Sequence, residues 1–182
     1  MFRLVFVLTV ICAVSSAMLA AVYNITKEPI ALAKEQGKRQ AAMNVMPAGL
    51  PEPEKKEIVV GGETNTLFVC NVDGKTVAIA VVGRSKNGYG GLIELMVGMN
   101  LKNQQLANYT VVSAKGETPG LGTKIAGDKF KKPLLGRALN SNWIVKKDGG
   151  EVDAVTAATI SSRAALECIT DAIAKLDLLE TR

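Results

Sequence analysis

Apolar and polar positions change rhythm several times along the chain. Residues 4–23 (LVFVLTVICAVSSAMLAAVY) carry no charge over 20 positions. At 1.5 Å of rise per residue, a helix of that length spans a hydrocarbon core of about 30 Å. Arg3 flanks one end, and Tyr23 stands at the other, where interfacial aromatic rings are favoured. A cleaved leader is the rival reading, with Ser15-Ser16-Ala17 as a small-residue site. Apolar residues continue past that site, and bulky Ile11 before Cys12 argues against lipidation, so the pattern predicts an uncleaved single-pass anchor.

Beyond residue 26 the apolar positions thin to a stripe. Ile30, Leu32, Ala33, Ala41, Ala42, Val45 and Met46 predict a second helix over 29–46, with Pro29 in its first turn and Gly37 weakening its middle. Pro47, Pro51 and Pro53 end it in a stiff linker. The rhythm then becomes that of strands. Residues 67–69 and 77–82 predict a hairpin around the Asp73-Gly74 turn. A glycine-rich turn follows at 87–91. Residues 92–99 and 105–114 predict another strand pair, with Glu94 inside the first. Residues 127–135 suggest a short helix or an irregular segment, and 143–145 a short strand. From 160 to 179, apolar residues return at helical spacing as an amphipathic helix. The predicted class is α+β: an N-terminal transmembrane helix, then one domain of antiparallel strands with flanking helices. The predicted divisions are an anchor at 1–26, a connecting helix and linker at 27–62, and the domain at 63–182.

Composition narrows the chemistry. The chain contains no histidine, which removes the usual general base and the commonest metal ligand. Cys12, Cys70 and Cys168 are too far apart in sequence for a zinc or iron–sulfur spacing. Cys70 and Cys168 could pair in an oxidising compartment, though two isolated thiols more often sit in the core as small hydrophobes. Net charge is +5, but the lysines are scattered and not interleaved with aromatic residues, so no nucleic-acid partner is expected.

Two stretches remain as candidates for function. The loop 115–124 contains Glu117-Thr118-Pro119-Gly120-Leu121-Gly122, whose Pro-Gly turn can bring backbone close to a flat ligand or a phosphate. The stretch 153–162 (DAVTAATISS) enters the last helix. Asp153 or Thr156 can cap that helix. The same geometry presents N–H donors and positive dipole to a phosphate, and a threonine hydroxyl there could bear one. Residue types alone leave both readings open.

The whole chain resembles the G subunit of the Rnf ion-translocating electron transport complex, and more distantly the C subunit of the sodium-pumping NADH:quinone oxidoreductase. The anchor, the run at 88–98 (GYGGLIELMVG), the ETPGLG loop with Lys124, and DAVTAAT at 153–159 carry the resemblance. It implies an electron-transfer subunit of a ferredoxin:NAD oxidoreductase complex, not catalytic alone, with FMN as a covalent cofactor on the Thr159 hydroxyl through a phosphoester. A flavin transferase makes that bond from FAD with magnesium. Thr156, Ala157 and Ala158 would line the attachment site, and Glu117, Thr118, Gly120, Leu121, Gly122 and Lys124 the flavin, with Glu94 a further candidate. Ala157 stands where the family often has glycine. The partners implied are the membrane, the other Rnf subunits and the transferase. The location implied is the cytoplasmic (inner) membrane, with the flavin domain on the outer or periplasmic side. Lys27, Lys34, Lys38 and Arg39 after the anchor do not support that side, so it rests on the resemblance. The alternative is a membrane-anchored, non-redox binding module in which 156–159 only caps a helix.

Overall fold

The computed structural model describes residues 2–60 and 62–180, so Met1 and the last two residues of the predicted domain lie outside it. The chain forms two compact units, 1–37 and 38–182. The first is helical, and helix α1 (Phe2–Val45) runs through it into the second. Its apolar side chains, from Phe2 to Leu19, Val22 and Ile25, are exposed. Thr9 Oγ1 donates to Val5 O (2.8 Å) and Thr26 Oγ1 to Val22 O (2.8 Å), so both hydroxyls are satisfied within the helix. The helix is long and apolar enough to cross a membrane, which makes the chain a single-pass membrane protein. Two helices were expected here, the second beginning at Pro29. The structure has one, with Pro29 inside it. Proline removes one N–H donor and crowds the preceding turn. In a helix of 44 residues the bonds on either side carry the chain past it.

The second unit is built on a five-stranded antiparallel sheet in the order β1-β2-β3-β4-β5. The strands are β1 (Glu54–Val60), β2 (Glu63–Val72), β3 (Lys75–Gly88), β4 (Gly91–Asn100) and β5 (Gln105–Ser113). Both predicted hairpins form. β1 lies in the stretch read as linker: it pairs along its whole length with β2 as an edge strand, largely exposed. The predicted strand at 143–145 reduces to a single parallel bridge, Val145 to Val152. There the Trp143 indole N–H donates to Leu139 O (3.0 Å) and anchors an irregular segment. Helix α2 (Asp128–Lys131) is one turn.

Alternation sorts the strands into two faces. Ile79, Val81, Ile93, Leu95 and Val97 join the main core with Ala164, Ala165, Cys168, Ile169, Ala172 and Leu176 of helix α3 (Thr159–Glu180). Phe68, Ala80, Val82 and Met96 point the other way, onto Ala42 and Val45 in the last turns of α1. A glycine marks each close crossing. A Cβ on Gly83 would collide with the Cys168 carbonyl of α3, and one on Gly98 with the Val45 carbonyl of α1. Polar ties lock the α3 crossing. Asp171 accepts from the Arg84 N–H (2.8 Å) and from Lys175 (2.6 Å), and Lys175 also donates to Val82 O (2.9 Å). The N-terminus of α3 is thereby held at one end of the sheet. All three cysteines are free.

Candidate cofactor cleft at the start of helix α3

The first wall of the site is the turn into α3. Ala158 N–H donates to Val155 O (2.9 Å). Ser162 Oγ fastens the turn, accepting from Val155 N–H (2.9 Å) and donating to Ala158 O (2.9 Å). Ala157 sits at φ 61°, a left-handed conformation that alanine rarely adopts. The residue before Thr159 is Ala158, which has no side-chain oxygen, so the cap expected of Asp153 or Thr156 is not made. Asp153 is instead paired with Lys146 (2.8 Å), and Thr156 is exposed three residues upstream of the helix. The N–H groups of Thr159, Ile160 and Ser161 have no intrahelical acceptor, while Ser162 N–H already bonds Ala158 O (3.0 Å). Free donors and a hydroxyl therefore converge at one helix end.

The second wall is the 115–122 loop. Glu117 N–H donates to Ala114 O (3.1 Å) and Leu121 N–H to Thr118 O (3.1 Å), closing two consecutive turns. Gly120, at φ 76°, makes the second turn, and its N–H donates to Thr123 Oγ1 (3.0 Å). Glu117 is buried. Its Oε2 accepts a short hydrogen bond from Ser161 Oγ on α3, and its Oε1 a long one from Gly90 N–H (3.5 Å). The third wall is the turn between β3 and β4. Gly90 lies so close to Gly116 that neither position has room for a Cβ. Tyr89 is left at the rim, 69% exposed.

These walls enclose a cleft of about 400 Å³, within the usual range for small-molecule sites. It is lined by Tyr89, Glu117, Thr118, Leu121, Gly122, Ala157, Ala158, Thr159, Ile160 and Ser161. Most of the predicted residues meet there. Gly120 shapes the loop without lining the cleft. Thr156 and Lys124 line a separate pocket of about 480 Å³ with Asp153 and Phe130. Glu94 is on the face of the sheet opposite α3, since Ile93 and Leu95 on either side of it enter the main core. It is ion-paired with Arg84 (2.9 Å), which also donates to Asn65 Oδ1 (3.2 Å). Tyr89, Ile160 and Ser161 were not anticipated. An aromatic residue inside a glycine-rich turn was the available signal for Tyr89. Ser161 and Ile160 were read as ordinary helix positions.

Residues 88–174 match the FMN-binding domain family, a span that contains all three walls. Over 92% of its length the chain is 31% identical to the G subunit of the ion-translocating oxidoreductase complex of Shewanella baltica, covering 85% of that protein. This chain belongs to that G-subunit family. A second member, from Methanosarcina acetivorans, is 28% identical over 94% of this chain and 92% of its own length. In fold, the G-subunit chain is similar to the crystal structure of the C subunit of the Na(+)-translocating NADH-quinone reductase from Parabacteroides distasonis. The TM-score is 0.60 at 18% identity, covering 82% of this chain and 92% of that one.

The residues present suit FMN. Tyr89, Leu121 and Ile160 offer apolar surface to a flat ring. The start of α3 offers unpaired N–H donors to a phosphate, and Thr159 lines the cleft beside them.

Proposed function

We propose that this protein transfers electrons within a membrane-bound, ion-translocating ferredoxin:NAD oxidoreductase complex, with FMN joined through its phosphate to Thr159. Bound FMN would supply the redox chemistry, and the protein its attachment, orientation and tuning. Thr159 would hold the phosphate as an ester, with the N–H groups of Ile160 and Ser161 beside it. Tyr89, Thr118, Leu121 and Gly122 would flank the ring. Attachment by a flavin transferase using FAD and magnesium would join the threonine oxygen to the FMN phosphorus, release AMP and give up the hydroxyl proton. We place the flavin domain outside the cytoplasmic membrane. The small residues Ala13, Ser15, Ser16, Ala17, Ala20 and Ala21, all exposed on α1, suit close packing against helices of other subunits.

One observation carries this reading. Two motifs far apart in sequence, 117–122 and 157–161, close on one cleft with a threonine hydroxyl at a helix start. The test is acid precipitation of protein coexpressed with a flavin transferase. Flavin fluorescence should stay in the pellet for the wild type and for Thr159→Ser, and be absent from the pellet for Thr159→Ala. Release of all flavin from the wild type would refute covalent attachment.

A further inference from the structure

Glu117 is the one cleft-lining residue with a carboxyl group, and it is only 6% exposed. Six other carboxylates of this unit have cations. Glu94 pairs with Arg84, Asp128 with Lys132, Asp148 with Arg163, Glu151 with Arg137, Asp153 with Lys146, and Asp171 with Lys175. Among the described residues Glu117 has no cation. Its partners are one hydroxyl, that of Ser161, and one distant N–H, that of Gly90. A Cβ on Gly88 or on Gly122 would collide with one of its two oxygens, so glycine at both positions leaves the carboxylate its room. A buried carboxylate without a counter-charge is costly to keep. If bracing three segments were its whole purpose, glutamine would do as well, because its carbonyl oxygen could accept from Gly90 N–H while its amide N–H donates to Ser161 Oγ.

We infer that Glu117 holds a negative charge against the ring of the bound cofactor and thereby lowers its reduction potential. The inference rests on the reading that FMN occupies this cleft. Two-electron reduction brings two electrons and one proton onto the ring and leaves one added negative charge there. In a half-enclosed cleft that charge is disfavoured beside an ionised Glu117 more strongly than in water. Uptake of one further proton by the ring relieves the repulsion. The other titratable side chain lining the cleft is Tyr89, on the β3–β4 turn. α3 contributes Thr159, Ile160 and Ser161, none of them charged. Glu167, further along α3, is occupied by Ser85 (2.6 Å) and Asn87 (2.8 Å). Lys115, two residues before Glu117, is exposed and makes no ion pair with it, and Lys124 lines the neighbouring pocket.

The experiment is a dithionite titration of the FMN-loaded full chain, followed by flavin absorbance across a pH series. Glu117→Gln should favour the reduced form by about tenfold at neutral to alkaline pH, a rise of about 30 mV for a two-electron couple. Glu117→Asp should stay near the wild type. A gap below about twofold at every pH, with FMN attached, overturns the inference and leaves the attachment reading standing. A wild type that carries no FMN overturns both. If Glu117→Gln does not load, Ser161→Ala decides. Loss of its hydroxyl donor leaves the carboxylate charge less neutralised, so the potential should fall below that of the wild type, and an unchanged potential overturns the inference.

Discussion

Ala157 is the most informative single residue in the turn into α3. Its φ of 61° places a methyl group in the left-handed region, which costs an L-residue roughly 1–2 kcal/mol. That alanine replaces the glycine common in the family at this position was legible in the sequence. The backbone conformation that makes the exchange costly was not, because it depends on how 153–158 is stapled by Ser162. Ala157→Gly should raise stability by about 0.5–1 kcal/mol, after allowing for glycine's extra freedom in the unfolded chain. Urea unfolding of the two proteins would show it. Cys168 supports a prediction of the opposite sign. Burial pushes its thiol up to about 12, with smaller help from Asp171 and Glu167. An unfolded thiol ionises near its ordinary value of 9.0, so above that pH the unfolded state binds fewer protons than the native one. Stability should therefore fall as pH rises from about 9 toward about 12, and Cys168→Ala should flatten part of that fall. A urea midpoint that does not change across this window would contradict the assignment. Thiol reagents at neutral pH should leave Cys168 unmodified until the protein unfolds.

Helix α3 and strand β3 meet with no side chain between them at Gly83. Gly83→Ala would force the Cys168 carbonyl away and strain the Asp171–Lys175–Val82 tie beside it. We expect a loss of about 3 kcal/mol or more, at the upper end of overpacking penalties. Because the same helix carries Thr159, cofactor loading should fall with it. A fully stable Gly83→Ala protein would show that the crossing is looser than these contacts imply. Strands β2 to β5 and α3 were legible because alternation and helical spacing follow directly from burial. Edge strand β1 was not. It exposes Lys55, Lys56 and Glu57, and its pairing with β2 needs no apolar face. The charges that protect an open edge also conceal a strand. Continuity of α1 through Pro29 was missed for a different reason. A proline at a helix start and one inside a long helix look alike in sequence, and only the bonds around it distinguish them.

At the scale of the molecule, a cofactor cleft is assembled from three segments that no local pattern connects: the turn at Tyr89, the loop at Glu117, and the start of α3. Motif resemblance ran through all three but assigned site residues in only two of them, the loop and the turn into α3. The glycine contact between positions 90 and 116, and the bond from Ser161 to Glu117, join them into one wall. Neither is legible before the sheet has placed the β3–β4 turn beside the loop. The same arrangement separates Thr159 from Thr156, which line different pockets although only three residues apart. That separation gives covalent attachment at Thr159 its sharpest test: the intact mass of the chain coexpressed with a flavin transferase, measured for wild type, Thr156→Ala and Thr159→Ala. An increment of FMN minus water is expected on the wild type and on Thr156→Ala, and none on Thr159→Ala. An increment retained by Thr159→Ala, or missing from the wild type, would contradict attachment at this hydroxyl.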